Sequence, residues 1–236
     1  MKRVASFLAF LWSGIIGASA QVDRCDVNGE GEVDISDVTY VVDHILGRGH
    51  ANVLTGEAID LGLPSGTKWA SCNIGATKPE EYGGYYAWGE TEEKDVYNED
   101  TYKYCQNGSY VNLGSDISGT EYDVAHVKWG GNWCMPTKDD IKELFDNCTS
   151  EWTMLNGVNG TKFTSKINGN SIFLPAAGYR WRGGLGHAGE DGRYWSSTQD
   201  PDNSYDAYVL YFSSGYAGWG YDYRNNGRSV RPVVRN

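Results

Sequence analysis

Three kinds of hydrophobic pattern follow one another along this chain. Lys2-Arg3 precede a largely apolar run, Val4–Gly17, and Ala18-Ser19-Ala20 close it. A basic start, a short apolar stretch and a small-residue site predict an export signal over residues 1–20. Ile35, Val38, Val41, Val42, Ile45 and Leu46 next recur at helical spacing and stop at Gly47 and Gly49, which predicts an amphipathic helix. Residues 49–57 carry neither period and read as a linker. From Ala58 onward the apolar runs shorten and glycine punctuates them. Ala58–Leu63, Thr67–Cys72, Tyr85–Trp88, Lys162–Lys166, Ser171–Pro175 and Gly178–Trp181 predict short strands or turns. Lys78–Tyr82 predicts a short helix opened by Pro79 and two acids. Residues 89–123 are polar and irregular and predict a long surface insertion that could contribute to a site.

One helix is clear in this second part. Thr137 and Asp140 have capping-box spacing, and Ile141, Leu144, Phe145 and Cys148 follow at core-facing positions. Toward the C-terminus, Ala207–Phe212 predicts a buried strand and Ser229–Val234 a closing strand. Few helices among many short strands imply an α+β domain over residues 58–236.

Composition changes the picture at one place. Between Asn203 and Arg228, 17 of 26 residues are Tyr, Trp, Gly, Ser or Asn. Tyr and Trp supply stiff amphipathic contact area with few torsions to freeze, and Ser, Gly and Asn supply adaptable hydrogen bonds. A solvent-facing strand pair could have this composition. Its place between two strands of a scaffold instead predicts a loop-borne binding face. The candidate ligand contacts are Tyr205, Tyr216, Trp219, Tyr221, Tyr223, Arg224, Asn225, Asn226 and Arg228. In this reading the aromatics anchor, the asparagines adapt, and the two arginines read carboxylate or carbonyl groups. One of Tyr208 and Tyr211 is expected in the core.

Charge narrows the partners. The whole chain carries a net charge of −11 at pH 7. Losing residues 1–20 removes Lys2 and Arg3 and no acid, leaving the rest two charges more negative. With no basic cluster, nucleic acid is excluded as a partner. No segment after the export signal is long and apolar enough to span a bilayer, so the mature chain is expected outside the cytoplasm without a membrane span. The five cysteines (25, 72, 105, 134, 148) follow the signal and match no zinc spacing, so each reads as a buried thiol.

A candidate metal site lies near the mature N-terminus. In Asp26–Asp37, oxygen-bearing side chains stand at Asp26, Asn28, Glu30, Asp34 and Asp37, with Gly31 at the sharp turn and the Glu32 carbonyl between. This is the ligand spacing of a twelve-residue calcium loop. With the helix behind it, the stretch 21–48 resembles a single dockerin repeat. The resemblance implies bound calcium and a cohesin-like partner, although dockerins carry two repeats and Glu30 stands where they have Asp or Asn.

A second resemblance covers about residues 58–235. It rests on Ile59–Gly66 followed by Trp69-Ala70, Tyr86–Glu90, Trp133–Thr137 leading a helix, Phe173–Arg180, Tyr194–Ser197 and Ser229–Val233. In this order the blocks resemble the major paralogous domain family first named from Fibrobacter and widespread in Bacteroidota. That family is similar to the C-type lectin-like fold of formylglycine-generating enzymes and of the variable proteins of diversity-generating retroelements. The resemblance implies a ligand-binding module whose contact face lies near the C-terminus, one of a diversified set if a retroelement accompanies the gene.

Enzymatic signals are weak. The four histidines form no metal pair, and no nucleophile-elbow or phosphate-loop motif occurs. Gln199–Asn203 approaches a lectin calcium triplet but reads as an Asp-Pro turn. The expectation is therefore a non-enzymatic, exported protein that binds a protein or glycan. The alternatives are an oxidase like the formylglycine-generating enzymes, working through Cys134 and Cys148, or a structural component docked through the calcium module.

Overall fold

The computed structural model describes residues 56–235. The export signal, the calcium loop with its helix, and nearly all of the linker lie outside the described residues. Two short antiparallel strands open the description, β1 (Ala58–Ile59) and β2 (Lys68–Ala70). Between them the chain turns at Pro64-Ser65-Gly66, where the Gly66 N–H reaches the Leu63 carbonyl at 2.8 Å and Gly66 has φ +76°. Lys78–Tyr82 forms a turn in place of the predicted helix. The Glu81 carboxylate takes the Thr77 N–H at 2.7 Å and the Lys78 N–H at 3.3 Å, and so caps a single turn that goes no further. Tyr85–Trp88, expected as a strand, pairs only through an isolated bridge between Tyr86 and Arg228.

The segment 89–123 differs most from its expectation. It holds a small hairpin, β3 (Cys105–Gln106) with β4 (Ser109–Tyr110), and contributes to a buried cluster. Tyr97 and Tyr102 are buried beside Tyr85, Ala87 and Ala177. Their hydroxyls close onto backbone carbonyls, Tyr97 onto Tyr85 at 2.5 Å and Tyr102 onto Trp88 at 2.7 Å. A buried tyrosine needs such a partner, and a polar sequence conceals it.

Helix α1 (Val124–Trp129) has no periodic signal because it is only six residues long. Asp123 makes it. Its buried carboxylate accepts the N–H groups of Ala125, His126, Gly119 and Met135, which fixes the helix start to the following strand β5 (Trp133–Cys134). Helix α2 (Lys138–Asn147) starts at Thr137 as its spacing predicts, with the Thr137 N–H on Asp140 at 2.8 Å and the Asp140 N–H on Thr137 at 3.1 Å.

The remainder is mostly strand. β6 (Cys148–Leu155), β7 (Val158–Ser165) and β8 (Ser171–Pro175) form a meander. β9 (Tyr179–Trp181) and β10 (Gly184–Gly186) form a hairpin. β11 (Asp191–Gln199), β12 (Asp206–Ser213) and β13 (Tyr216–Tyr223) form a second antiparallel meander. The closing strand is shorter than expected, β14 (Val233–Val234), and slots between β2 and β5. The architecture is mixed and strand-dominated, an α+β arrangement of small sheets.

Both faces of β11 and β12 are covered. Tyr194, Leu210 and Phe212 enter a core with Ile141, Leu144 and Phe163. Trp195, Val209 and Ala207 enter another with Trp88, Val124 and Met135. This explains why Ala207–Phe212 reads as a continuous apolar run without alternation. At Gly192 a Cβ would stand 2.1 Å from the Phe212 ring, so only glycine allows this packing. Tyr208 is buried and Tyr211 half-buried, as expected of one of the pair.

Candidate ligand-binding face

The aromatic stretch is a strand, not a loop. β13 is the edge of its meander and pairs with β12 in unbroken register from Asp206 opposite Tyr223 to Ser213 opposite Tyr216. Side chains of a strand alternate between faces, so the register divides the candidates. Ala217, Trp219, Tyr221 and Tyr223 share one face. Tyr216, Gly218, Gly220 and Asp222 share the other.

The first face carries the exposed aromatics. Trp219 is 44 % exposed, Tyr221 50 % and Tyr223 60 %. Beneath them Tyr208 stands directly opposite Tyr221, with ring centroids 4.6 Å apart and hydroxyls 3.3 Å apart. Lys138, the first residue of α2, donates to the Tyr208 hydroxyl at 2.9 Å. Its ammonium lies 4.3 Å from the Tyr208 ring centre and 5.2 Å from that of Trp219. A cation against two aromatic faces fixes their geometry, while Trp219 keeps its outer surface exposed. The Tyr208 hydrogen bond and some desolvation push the Tyr221 phenol up to about 12, so it stays neutral and can donate or accept. Neither Lys138 nor Tyr208 was a sequence candidate. Lys138 lies 70 positions from Tyr208, and nothing local marks the approach.

The second face is organised by Asp222. Its carboxylate takes Arg228 through both Nε, at 2.8 Å, and Nη2. It also accepts the Asn226 amide at 2.9 Å and lies 3.6 Å from Arg193. The Tyr216 ring lies across Gly218, where a Cβ would fall 2.3 Å from the Tyr216 hydroxyl.

Three expected contacts, Arg224, Arg228 and Asn226, are corrected here. Arg224 and Arg228 are buried, at 0 % and 1 % exposure, and cannot reach a ligand's carboxylate. Arg224 donates to Tyr102, to Gln199 and to the carbonyls of Ser204 and Val111, and stacks on Trp88. Arg228 serves Asp222 and stacks on Tyr179. A guanidinium whose donors already have partners in a dry interior holds the chain together. Asn226 is also buried, with its Oδ1 unpartnered, and Asn225 is half-buried. Tyr205 is exposed but leans on the 89–123 segment, with its hydroxyl on the Gly108 carbonyl at 3.0 Å and its ring 4.7 Å from Tyr110. Of the nine candidates, the structure therefore brings Trp219, Tyr221 and Tyr223 together and separates Tyr205 and Tyr216 from them.

Other candidate chemistry is quiet. Gln199–Asn203 forms the expected turn, with Asp200 accepting the Asp202 N–H at 3.0 Å. Among the described residues, no three His, Cys, Asp or Glu side chains converge as a metal site, and no helix is long and apolar enough to cross a membrane. Cys72, Cys134 and Cys148 are buried, as expected, while Cys105 is only half-buried, at the rim of the β3–β4 hairpin. Burial pushes the Cys134 thiol up and that of Cys148 to about 11, which favours thiol over thiolate.

Over residues 149–233, β6 through the first residue of β14, the chain is similar to a family described as a domain of unknown function (DUF8237). That span contains β13 and its partners but not Lys138. No curated protein and no solved structure matches the chain.

Proposed function

We propose that this chain is an exported, non-enzymatic ligand-binding protein of the C-type lectin-like kind, which holds a protein or glycan on the Trp219–Tyr221–Tyr223 face of β13. One observation carries the reading. Three large aromatics stand side by side on one face of an edge strand, exposed, over a base made rigid by Tyr208 and Lys138. Exposed aromatics cost solubility and contribute nothing to a core, whereas preorganised ones are the usual anchors of an interface. The raised thiols of Cys134 and Cys148 favour this reading over an oxidase. Export and a calcium-bound N-terminal module complete the proposal from the sequence.

The test is an array of glycans and of host and bacterial surface proteins, probed with the parent chain and with a Trp219→Ala/Tyr221→Ala/Tyr223→Ala variant. These side chains are exposed, so the variant should melt as the parent does. Array binding should fall by about thirtyfold or more, since even one aromatic anchor carries ~2 kcal/mol. Binding undiminished in the variant, or no binding by the parent, overturns the proposal.

A further inference from the structure

A cleft separate from the aromatic face lies between the β6–β7 hairpin and the turn that joins β12 to β13. Its volume is about 210 Å³, and its walls are Ser150 and Trp152 of β6, Thr161 of β7, Ser213 at the end of β12, Ser214 and Gly215 of the turn, and Tyr216 and Ala217 of β13. Register explains the meeting. Trp152 stands opposite Thr161, and Ser150 lies two residues before Trp152 on the same face. Trp152 rests on Phe212 with ring centroids 6.3 Å apart, and Phe212 in turn on Phe163 at 6.5 Å. The indole is thus a wall set on the hydrophobic core.

The lining has two marked properties. No charged side chain contributes to it, in a chain of net charge −11. It also brings four aliphatic hydroxyls, of Ser150, Thr161, Ser213 and Ser214, beside two aromatic side chains, Trp152 and Tyr216. Among the described residues, no side-chain hydrogen bond engages Ser150, Thr161, Ser213 or Ser214, and none of the four is a buried orphan. Ser150 and Ser214 are exposed and Ser213 half-buried, so these three are open to a partner, whereas Thr161 is 2 % exposed and shows little of itself to the cleft.

Ligand classes can be compared against this lining. An anion would want a guanidinium, an ammonium or a helix N-terminus, and a cation would want carboxylates. A purely apolar ligand would strand the hydroxyls without partners. A neutral sugar ring satisfies both halves: its C–H face stacks on an indole, and its hydroxyls donate to and accept from Ser and Thr. The volume is below that of drug-sized pockets, so it suits a single ring.

We infer that this cleft is a calcium-independent subsite for one neutral pyranose ring, with Trp152 as the stacking wall and Ser150, Ser213 and Ser214 as hydrogen-bonding partners. The subsite goes beyond the proposed aromatic face and does not depend on it.

The experiment is saturation-transfer NMR and calorimetry on the whole chain with methyl glycosides of neutral hexoses and N-acetylhexosamines, in the presence of a calcium chelator, and with a methyl glucuronide as the charged control. At least one neutral glycoside should bind saturably, with a dissociation constant on the order of millimolar for so small a ligand. Trp152→Ala should weaken it by about tenfold or more. Because Trp152 also packs on Phe212, Ser214→Trp is the second variant. It fills the cleft from an exposed turn, should fold normally, and should abolish binding. The Trp219→Ala/Tyr221→Ala/Tyr223→Ala variant should bind the glycoside as the parent does, which separates failure of this inference from failure of the aromatic face. Any of three results overturns it: no saturable neutral glycoside, parent-like binding by Ser214→Trp, or glucuronide bound as well as the neutral sugars.

Discussion

At the scale of single residues, the C-terminal arginines decide more than the tyrosines around them. Arg231 has 0 % exposure and divides its donors among Asn73 Oδ1 at 2.8 Å and the carbonyls of Ala70, Ser71 and Phe173 at 3.0, 3.1 and 2.9 Å. It ties the end of β2 and the middle of β8 to the closing segment. None of these acceptors is charged, so removing the guanidinium leaves a set of unsatisfied oxygens and no stranded ion. Arg231→Met should cost about 3–5 kcal/mol, and Arg231→Lys nearly as much, because an ammonium cannot span the same acceptors. Urea unfolding checks this, and a Met variant within about 1 kcal/mol of the parent would contradict the tie. Arg224 follows the same logic, with only neutral acceptors, whereas Arg228 is paired with the Asp222 carboxylate. A sequence shows both arginines at the end of an aromatic stretch, where an arginine reads as a ligand contact, and nothing local reveals the carbonyls of Ser204 and Val111 that await Arg224.

Among the elements, α2 joins a local signal to a distant one. Its capping box is written in four consecutive residues. Its tie to the chain end is not: Arg235 reaches Asp140 at 2.5 Å and also the Met135 carbonyl. Burial alone would push the Asp140 carboxyl up. The Arg235 guanidinium and the Thr137 donors outweigh it and hold the group below its ordinary value near 4. A carboxyl with a depressed folded pKa adds stability that is present above its unfolded value and lost as pH falls through the folded one. The parent should therefore weaken steadily below about pH 4, while Asp140→Asn should start about 2–3 kcal/mol less stable near pH 6 and lose less on acidification. Unfolding midpoints measured at the two ends of that range test it, and parallel pH profiles would contradict the assignment. β13 shows the converse. Its period-2 alternation was present in the residues all along, yet Gly218, Gly220 and the tyrosines read as a loop because glycine is a turn residue elsewhere. The unbroken register with β12 makes it a strand.

For the whole molecule, Leu54–Asn236 forms one compact unit, and the described buried clusters all lie within it. A fragment of residues 54–236 should fold alone, with the near-ultraviolet circular dichroism and melting midpoint of the full chain. Loss of its cooperative transition would mean that residues 1–53 complete the fold. The placement of β14 argues for late closure of this unit, since β2 and β5 must both be present before Val233 can pair with each.

Local rules were enough for the sequence to determine the cap of α2, the strands at β8 and β12, the mixed class and the aromatic bias of the C-terminal stretch, because each depends on neighbours within a few positions. The tertiary structure alone decided which aromatics share a face, that Arg224 and Arg228 turn inward, that Lys138 braces Tyr208, and that Trp152 meets the β12–β13 turn in a cleft. Those outcomes depend on register and burial. Register is a relation between strands, and a one-residue slip would reverse every side chain on β13. Burial is a relation between segments as far apart as Tyr102 and Arg224, whose contact no local pattern encodes.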